Sequence, residues 1–154
     1  MDMKPIAVAL AMLIPLLAVG GCSHQLSGGP VAGVDMARYR TYYVVTDKKD
    51  NEVAQALEKD LAARGFSVST GLDWAMPPAT QVKVLFTDKW MKDLTRYLSE
   101  VKIDMIDPHS GALLASGRCD RSSMARKPVA EMVKEITDRI YPAPPPSSSP
   151  SPPR

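Results

Sequence analysis

An apolar stripe near the C-terminus constrains the fold of this chain more than any other feature. Behind Pro128, apolar side chains recur at helical spacing at Val129, Met132, Val133, Ile136 and Ile140. This spacing predicts an amphipathic helix, and Pro128 suits its first position because the proline ring fixes φ near the helical value. A helix with one apolar face needs a second layer to cover that face.

The segments before this helix supply the covering layer. Residues 41–46 are β-branched and aromatic, which predicts a first strand. A helix is predicted over 51–64, with Asp50 or Asn51 as N-cap and Gly65 after its last turn. Residues 66–69 alternate in polarity as a short second strand. Apolar alternation then predicts three further strands, at 82–87, 97–107 and 112–120, with residues 88–96 as the tip of a long hairpin.

This order of elements predicts an α+β domain over residues 39–141. We expect one mixed, mainly antiparallel sheet of about five strands, with both helices on one face, in the order β-α-β-β-β-β-α. The loop 70–80 contains Gly71, Pro77 and Pro78 and should not form regular structure.

The N-terminus has the order of a secretory signal. Asp2 and Lys4 precede an apolar run over 6–19, which is too short to span a bilayer comfortably. Small residues, Gly20 and Gly21, then lead into Cys22. An ordinary secreted protein, or a short membrane helix with a chance cysteine, stays open as an alternative.

The stretch 16–22 resembles the lipobox of bacterial lipoproteins, with Val19 where leucine is commonest in that family. The resemblance implies that residues 1–21 are removed, that Cys22 is diacylated and that its new amine is acylated as well. Two or more acyl chains give a stable membrane anchor. Because Ser23 follows Cys22, the family's sorting rules imply the periplasmic face of the outer membrane.

Composition limits the remaining function classes. Removing 21 of the 154 residues leaves 133, enough for one domain with its own core. The formal charge is +2 at pH 7 and is not clustered, so nucleic acid is not an expected partner. If Cys22 carries lipid, Cys119 stands alone and no internal disulfide can form.

Two segments around the domain lack an apolar period. Residues 22–38 contain Ser27-Gly28-Gly29-Pro30 and are interpreted as a flexible tether between lipid and domain. Residues 142–154 are Pro, Ala, Ser and a final Arg, and we expect a disordered tail. The tail is interpreted as a spacer, with docking of Pro144–Pro146 into an aromatic groove as the alternative.

No motif predicts catalysis, a metal or a cofactor. His109 lies in a turn, and Cys119 follows it at the far end of a strand, about 30 Å away at ~3.3 Å per residue, so the two should not meet. Cys119 is interpreted as a buried apolar side chain. The aspartates lack metal-ligand spacing and are interpreted as solvated acids. A pair of carboxylates brought together by folding stays open.

Three aromatic residues are the candidates for binding. Trp90 and Tyr97 are interleaved with charged residues over 88–97, a composition that protein-binding surfaces favour. Trp74, beside Pro77 and Pro78, is a second candidate that could reach the same end of the sheet. The alternative is that Trp90 and Tyr97 cap the core at the end of the hairpin.

Stretch 89–94 before a strand, Asp107-Pro108 with Gly111, and 114–117 together resemble small proteobacterial envelope lipoproteins of the DUF4136 type. More remotely, the chain is similar to the α/β lipoprotein domains that activate penicillin-binding proteins. The resemblance implies a non-catalytic domain held at a membrane. The first hypothesis is therefore a binding or accessory module for an envelope protein. The alternatives are a carrier of a small apolar ligand and a cell-wall-active enzyme.

Overall fold

The computed structural model describes residues 24–143, which form one six-stranded sheet with two α-helices on one face. The strands are β1 (Gln25–Pro30), β2 (Thr41–Val45), β3 (Ser67–Gly71), β4 (Val82–Lys92), β5 (Arg96–Ile106) and β6 (Leu113–Asp120). The helices are α1 (Glu52–Ala63) and α2 (Val129–Ile140). The predicted signal, Cys22 and residues 144–154 of the predicted tail lie outside the described residues.

The sheet is mixed, with the strand order β1-β6-β5-β4-β2-β3. β2 runs parallel to β3 and β4, and the other neighbours are antiparallel. The α+β class, the mixed sheet and the two helices are confirmed. The count of about five strands was one short.

The sixth strand corrects the predicted tether. β1 pairs with β6 from Gln25↔Asp120 to Pro30↔Ala115, so residues 25–30 belong to the sheet. Glycine at position 28 permits this pairing, because an added Cβ would collide with the backbone of Ser116 and Gly117. Further along the predicted tether, Met36 is buried in the core. An edge strand with mostly exposed side chains has no apolar alternation, so the sequence pattern missed it.

Both helices follow their predicted patterns. The Asn51 side chain accepts hydrogen bonds from the amides of Val53 and Ala54, which caps α1. α2 buries Met132, Val133, Ile136 and Ile140 as predicted, and Pro128 is its N-cap rather than its first residue. Gly117 lets α2 approach β6 closely, because a Cβ there would collide with Ile136. The apolar stripe therefore lies directly on the sheet.

The hairpin of β4 and β5 is longer than its predicted strands. Pairing continues to Lys92↔Arg96, with a bulge beside Lys89 and Trp90, so residues 88–92 and Arg96 are strand rather than hairpin tip. β2, in contrast, pairs with β4 only from Tyr42↔Val82 to Val44↔Val84. The outer half of the hairpin therefore extends past the end of β2.

Gly28→Ala tests whether β1 belongs to the sheet, with Gly33→Ala as the matched control. Both glycines have positive φ, +126° and +83°, but a Cβ at Gly33 meets nothing within 4 Å. Gly33→Ala should cost about 1–2 kcal/mol of stability for its backbone conformation alone. We expect Gly28→Ala to lower the free energy of unfolding in urea by about 1–3 kcal/mol more, because of the collision with β6. Equal losses would contradict the pairing.

Candidate functional site

A cleft of about 750 Å³ lies where β4 extends past β2. One wall is the end of β2, the loop that follows it and the start of α1, and the other is the outer half of β4 with Arg96 of β5. Its lining residues are Val45, Thr46, Asp47, Lys48, Asp50, Asn51, Glu52, Phe86, Asp88, Trp90 and Arg96. The parallel neighbours β2 and β4 lead away from each other along the sheet, β2 to β3 and β4 to β5, and ligand crevices of open α/β sheets form beside strands that diverge in this way.

Trp90 and Arg96 form the aromatic part of this cleft. The Arg96 guanidinium lies over the indole at 3.8 Å from its ring centroid, a cation–π contact. The indole Nε1 donates to Asp88 Oδ2 at 2.7 Å, and Arg96 Nη1 lies 3.7 Å from Glu52 Oε1. Trp90 also packs against the edge of the core. The indole is thus fixed on one side and stacked by a cation on the other.

The charged groups of the cleft are mainly acidic. Four carboxylates and two cations line it, namely Asp47, Asp50, Glu52, Asp88, Lys48 and Arg96, for a formal charge of −2. All four acids are exposed. The first amides of α1 are already occupied by the Asn51 side chain, so they do not offset this charge toward a ligand. The cleft therefore favours a positively charged ligand over an anion.

Tyr97 belongs to a different surface. The register pairs Trp90 with the buried Leu98 and pairs Tyr97 with Met91, so the two aromatic residues lie on opposite faces of the hairpin. The Arg126 guanidinium lies 4.3 Å from the Tyr97 ring centroid and donates to Thr95 Oγ1 at 2.7 Å. This contact ties the segment before α2 to the hairpin tip.

Trp74 lies apart from both. It sits in a 3-10 turn, Asp73–Ala75, and is 84% exposed. Asp73 of that turn pairs with Lys83, which alternates with the core residues Val82 and Val84 and so lies on the face without helices. Trp74 is not among the residues that line the cleft, and the structure does not bring the three predicted binding residues together.

A buried ion pair between Arg121, the residue after β6, and α2 escaped the sequence analysis. Arg121, whose side chain is 4% exposed, donates to Glu135, and Lys127 donates to the other oxygen of the same carboxylate. Burial alone would raise the pKa of Glu135, but these hydrogen bonds outweigh it and hold the pKa below its ordinary value. The pair joins residues 14 positions apart on separate elements, so no local spacing signals it.

His109 and Cys119 lie in the surroundings that the sequence predicts for them. His109 is exposed in the turn after β5, where its amide donates to Asp107 Oδ1 and lowers the pKa of that carboxyl. Cys119 is fully buried, as predicted, and burial raises the pKa of its thiol. Within residues 24–143, no group of three or more His, Cys, Asp or Glu side chains could hold a metal ion. No helix in that range has the length and hydropathy of a membrane span.

Comparison with known proteins identifies the fold. No protein-family model matches the chain, and no curated protein matches it. Among solved structures, a PelC dodecamer from Paraburkholderia phytofirmans is similar, with a TM-score of 0.55 and 15% identity over 77% of this chain and 98% of that chain. The chain therefore shares the fold of PelC.

Two further solved structures are similar at lower scores. TolB from Acinetobacter baumannii has a TM-score of 0.43 and 17% identity over 75% of this chain, which spans 31% of TolB. A minor lipoprotein from the same organism has a TM-score of 0.34 and 14% identity over 66% of this chain and 90% of that chain. The resemblance to DUF4136-type proteins and to activators of penicillin-binding proteins stays a prediction.

Glu135→Gln tests the buried ion pair, with Glu131→Gln as control because Glu131 bonds the same Lys127 from a 48% exposed position. At pH 7, Glu135→Gln should lower the free energy of unfolding by about 3 kcal/mol, the low end for breaking a buried pair, and Glu131→Gln by less than about 1 kcal/mol.

The same variant should change the response to acid. The pKa of Glu135 is lower in the folded state, so its stabilisation is complete above the ordinary value of 4.5 and is lost as the pH falls through the folded value. The free energy of unfolding of the wild type, measured in urea, should therefore fall more steeply below pH 4.5 than that of Glu135→Gln. Parallel pH profiles would contradict the role assigned to this pair.

Proposed function

We propose that this chain is a lipid-anchored protein of the bacterial envelope whose domain binds a protein partner through the cleft, without catalysing a reaction. The observation that carries the proposal is the wall made by Trp90 and Arg96. Trp and Arg are the residue types that most often dominate the energy of protein interfaces, and here both lie in one concave site. The cleft's lining includes neither a histidine nor a cysteine.

Anchoring at Cys22 on the periplasmic face of the outer membrane is the second part of the proposal, and it rests on the lipobox-like residues 16–22. β1 begins only three residues after Cys22, a span of at most about 10 Å. Gln25 also lies in one cross-strand row with Asp120, Glu100 and Lys89, in the outer half of the hairpin. An anchor at Cys22 would thus hold the hairpin end of the sheet, and with it the cleft, close to the membrane.

The alternatives receive less support. A carrier of an apolar ligand would need space beneath α2, where Ile136 instead packs directly against Gly117. A cell-wall-active enzyme could use the carboxylates of the cleft, but a catalytic acid needs burial to keep its proton, and these four acids are exposed. We therefore propose a binding role for these acids.

Self-assembly is a second candidate function, because the PelC structure that shares this fold is a dodecamer. Leu94, at the hairpin tip, is 93% exposed, and Met124 is 88% exposed, as expected of residues that a neighbouring subunit could cover. Native mass spectrometry of the full chain in detergent should then give one closed oligomer of defined mass. A monomer at micromolar concentration would reject this candidate.

Cys22→Ala tests the anchor. The wild type should sediment with membranes and carry the mass of its acyl chains, and the variant should be released and lack that mass. Retention of Cys22→Ala in the membrane fraction with unchanged mass would contradict the proposal.

Glu52→Lys tests the cleft in cells, by crosslinking the intact protein and identifying captured partners by mass spectrometry. Glu52 and Glu131 lie in the first turns of α1 and α2 and have similarly exposed side chains, 55% and 48%, so Glu131→Lys is the matched control for the charge reversal. Because Glu52→Lys changes the formal charge of the cleft from −2 to 0, we expect one envelope protein to be recovered with wild type and with Glu131→Lys, and recovered at least tenfold less with Glu52→Lys. Equal recovery with all three would place the partner elsewhere.

A further inference from the structure

The outer half of β4 has an open edge. β4 pairs with β5 along its whole length, but its other neighbour, β2, pairs only with residues 82–84. From Phe86 to Lys92, no strand of the described chain lies on that second side. An edge of this kind presents backbone donors and acceptors to which another strand can add.

The backbone groups on this edge can be assigned. Arg121 N–H donates to the Ser99 carbonyl and Asp107 N–H donates to the Ala112 carbonyl, so odd residues of β5 face β6. Even residues of β5 therefore face β4, where they lie opposite odd residues such as Thr87. The bulge adds its extra residue to β5, so the alternation of β4 is unbroken. The N–H and C=O groups of Phe86, Asp88 and Trp90 consequently point to the open edge.

The open edge borders the cleft. The side chains of Phe86, Asp88 and Trp90 line it, and the loop after β2 forms the opposite wall. A segment laid along β4 would therefore lie within a volume of about 750 Å³ rather than on a flat surface. Backbone pairing would supply affinity, and the lining side chains would select the segment, as in other cases of strand addition.

Charge selects the kind of segment. The two acidic loop residues, Asp47 and Asp50, face the edge from the opposite wall, and Asp88 lies on the edge itself. The cleft carries a formal charge of −2 from its four acids and two cations. A segment bearing Lys or Arg would gain from this charge, and an acidic one would be repelled.

We propose that an extended, basic segment of a protein partner adds as a strand to the open edge of β4 and bonds to the backbone of Phe86, Asp88 and Trp90. The proposal rests on the binding function proposed for the cleft and names the chemistry of its partner. The Lys or Arg side chains of the segment lie toward the acids of the cleft, and Trp90 with Arg96 closes its outer end.

Amide exchange of the full lipidated chain in detergent tests the strand, with the peptide Lys-Val-Lys-Val-Lys-Val as probe. Bound peptide should slow exchange at the amides of Phe86, Asp88 and Trp90 at least tenfold, and leave Thr87 and Lys89, which face β5, unchanged. The same peptide N-methylated at every residue keeps its charge but has no backbone N–H on either edge, and it should bind at least tenfold more weakly. Equal binding by both peptides, or no protection at millimolar peptide, would overturn the proposal.

A pair of substitutions at one position gives a second measurement. Asp88→Pro removes an amide from the open edge without removing a bond to β5, a position where a strand tolerates proline. Asp88→Asn removes the charge and keeps the amide. Strand addition predicts that Asp88→Pro weakens peptide binding more than Asp88→Asn does. Equal weakening by the two variants would indicate attraction by charge alone and would overturn strand addition.

The outcomes distinguish strand addition at β4 from the partner binding proposed for the cleft, on which it rests. Loss of the cellular partner in Glu52→Lys without amide protection in the wild type would leave the binding function standing and reject strand addition. Capture of the partner unchanged by Glu52→Lys, together with no protection, would reject both. Protection that rises with protein concentration in the absence of peptide would assign the edge to a second copy of this chain and overturn the proposal.

Discussion

The difference in length between β2 and β4 determines the shape of this molecule. β2 has five residues and β4 has eleven. β2 ends where the chain turns into the crossover through α1 that its parallel partner β3 requires. β4 continues beyond that point and returns directly through a hairpin. The unequal ends leave a step in the sheet, and the loop, helix start and hairpin around that step enclose the cleft.

β1 lies at the edge of the sheet next to β6, and it holds the domain close to its proposed anchor at Cys22. A tether of seventeen residues would have let the domain range far from the membrane, but β1 takes up six of them and begins three residues after Cys22. The glycines that suggest flexibility instead allow close approach of two backbones, at Gly28 beside β6. Glycine thus has opposite meanings in a linker and in a crowded edge strand, and composition alone does not separate them.

Sequence patterns located the elements that bury side chains and missed those that do not. The stripe of α2 and the cap of α1 were predictable, because burial and capping require particular residue types at fixed spacing. β1 and the outer half of β4 were missed, because their side chains are mostly exposed and so are free of alternation. The composition of residues 88–97 indicates Trp90 as a candidate, but the stacking of Trp90 with Arg96 depends on the register of the hairpin. The pair of Arg121 and Glu135 depends on the docking of α2, which no local pattern contains.

The acids of the cleft disfavour pairing of the open edge of β4 with the same edge of a second copy. An unprotected edge tends to pair with the same edge of a second copy, and across a two-fold axis the same residues of both copies meet. Such pairing would bring two sets of Asp88, Asp47 and Asp50 together, and like charges on facing strands are destabilising. A basic strand from another protein would instead relieve the same repulsion. One group of carboxylates can therefore both disfavour self-pairing at this edge and favour the proposed basic strand, for which charge would supply specificity and the backbone affinity.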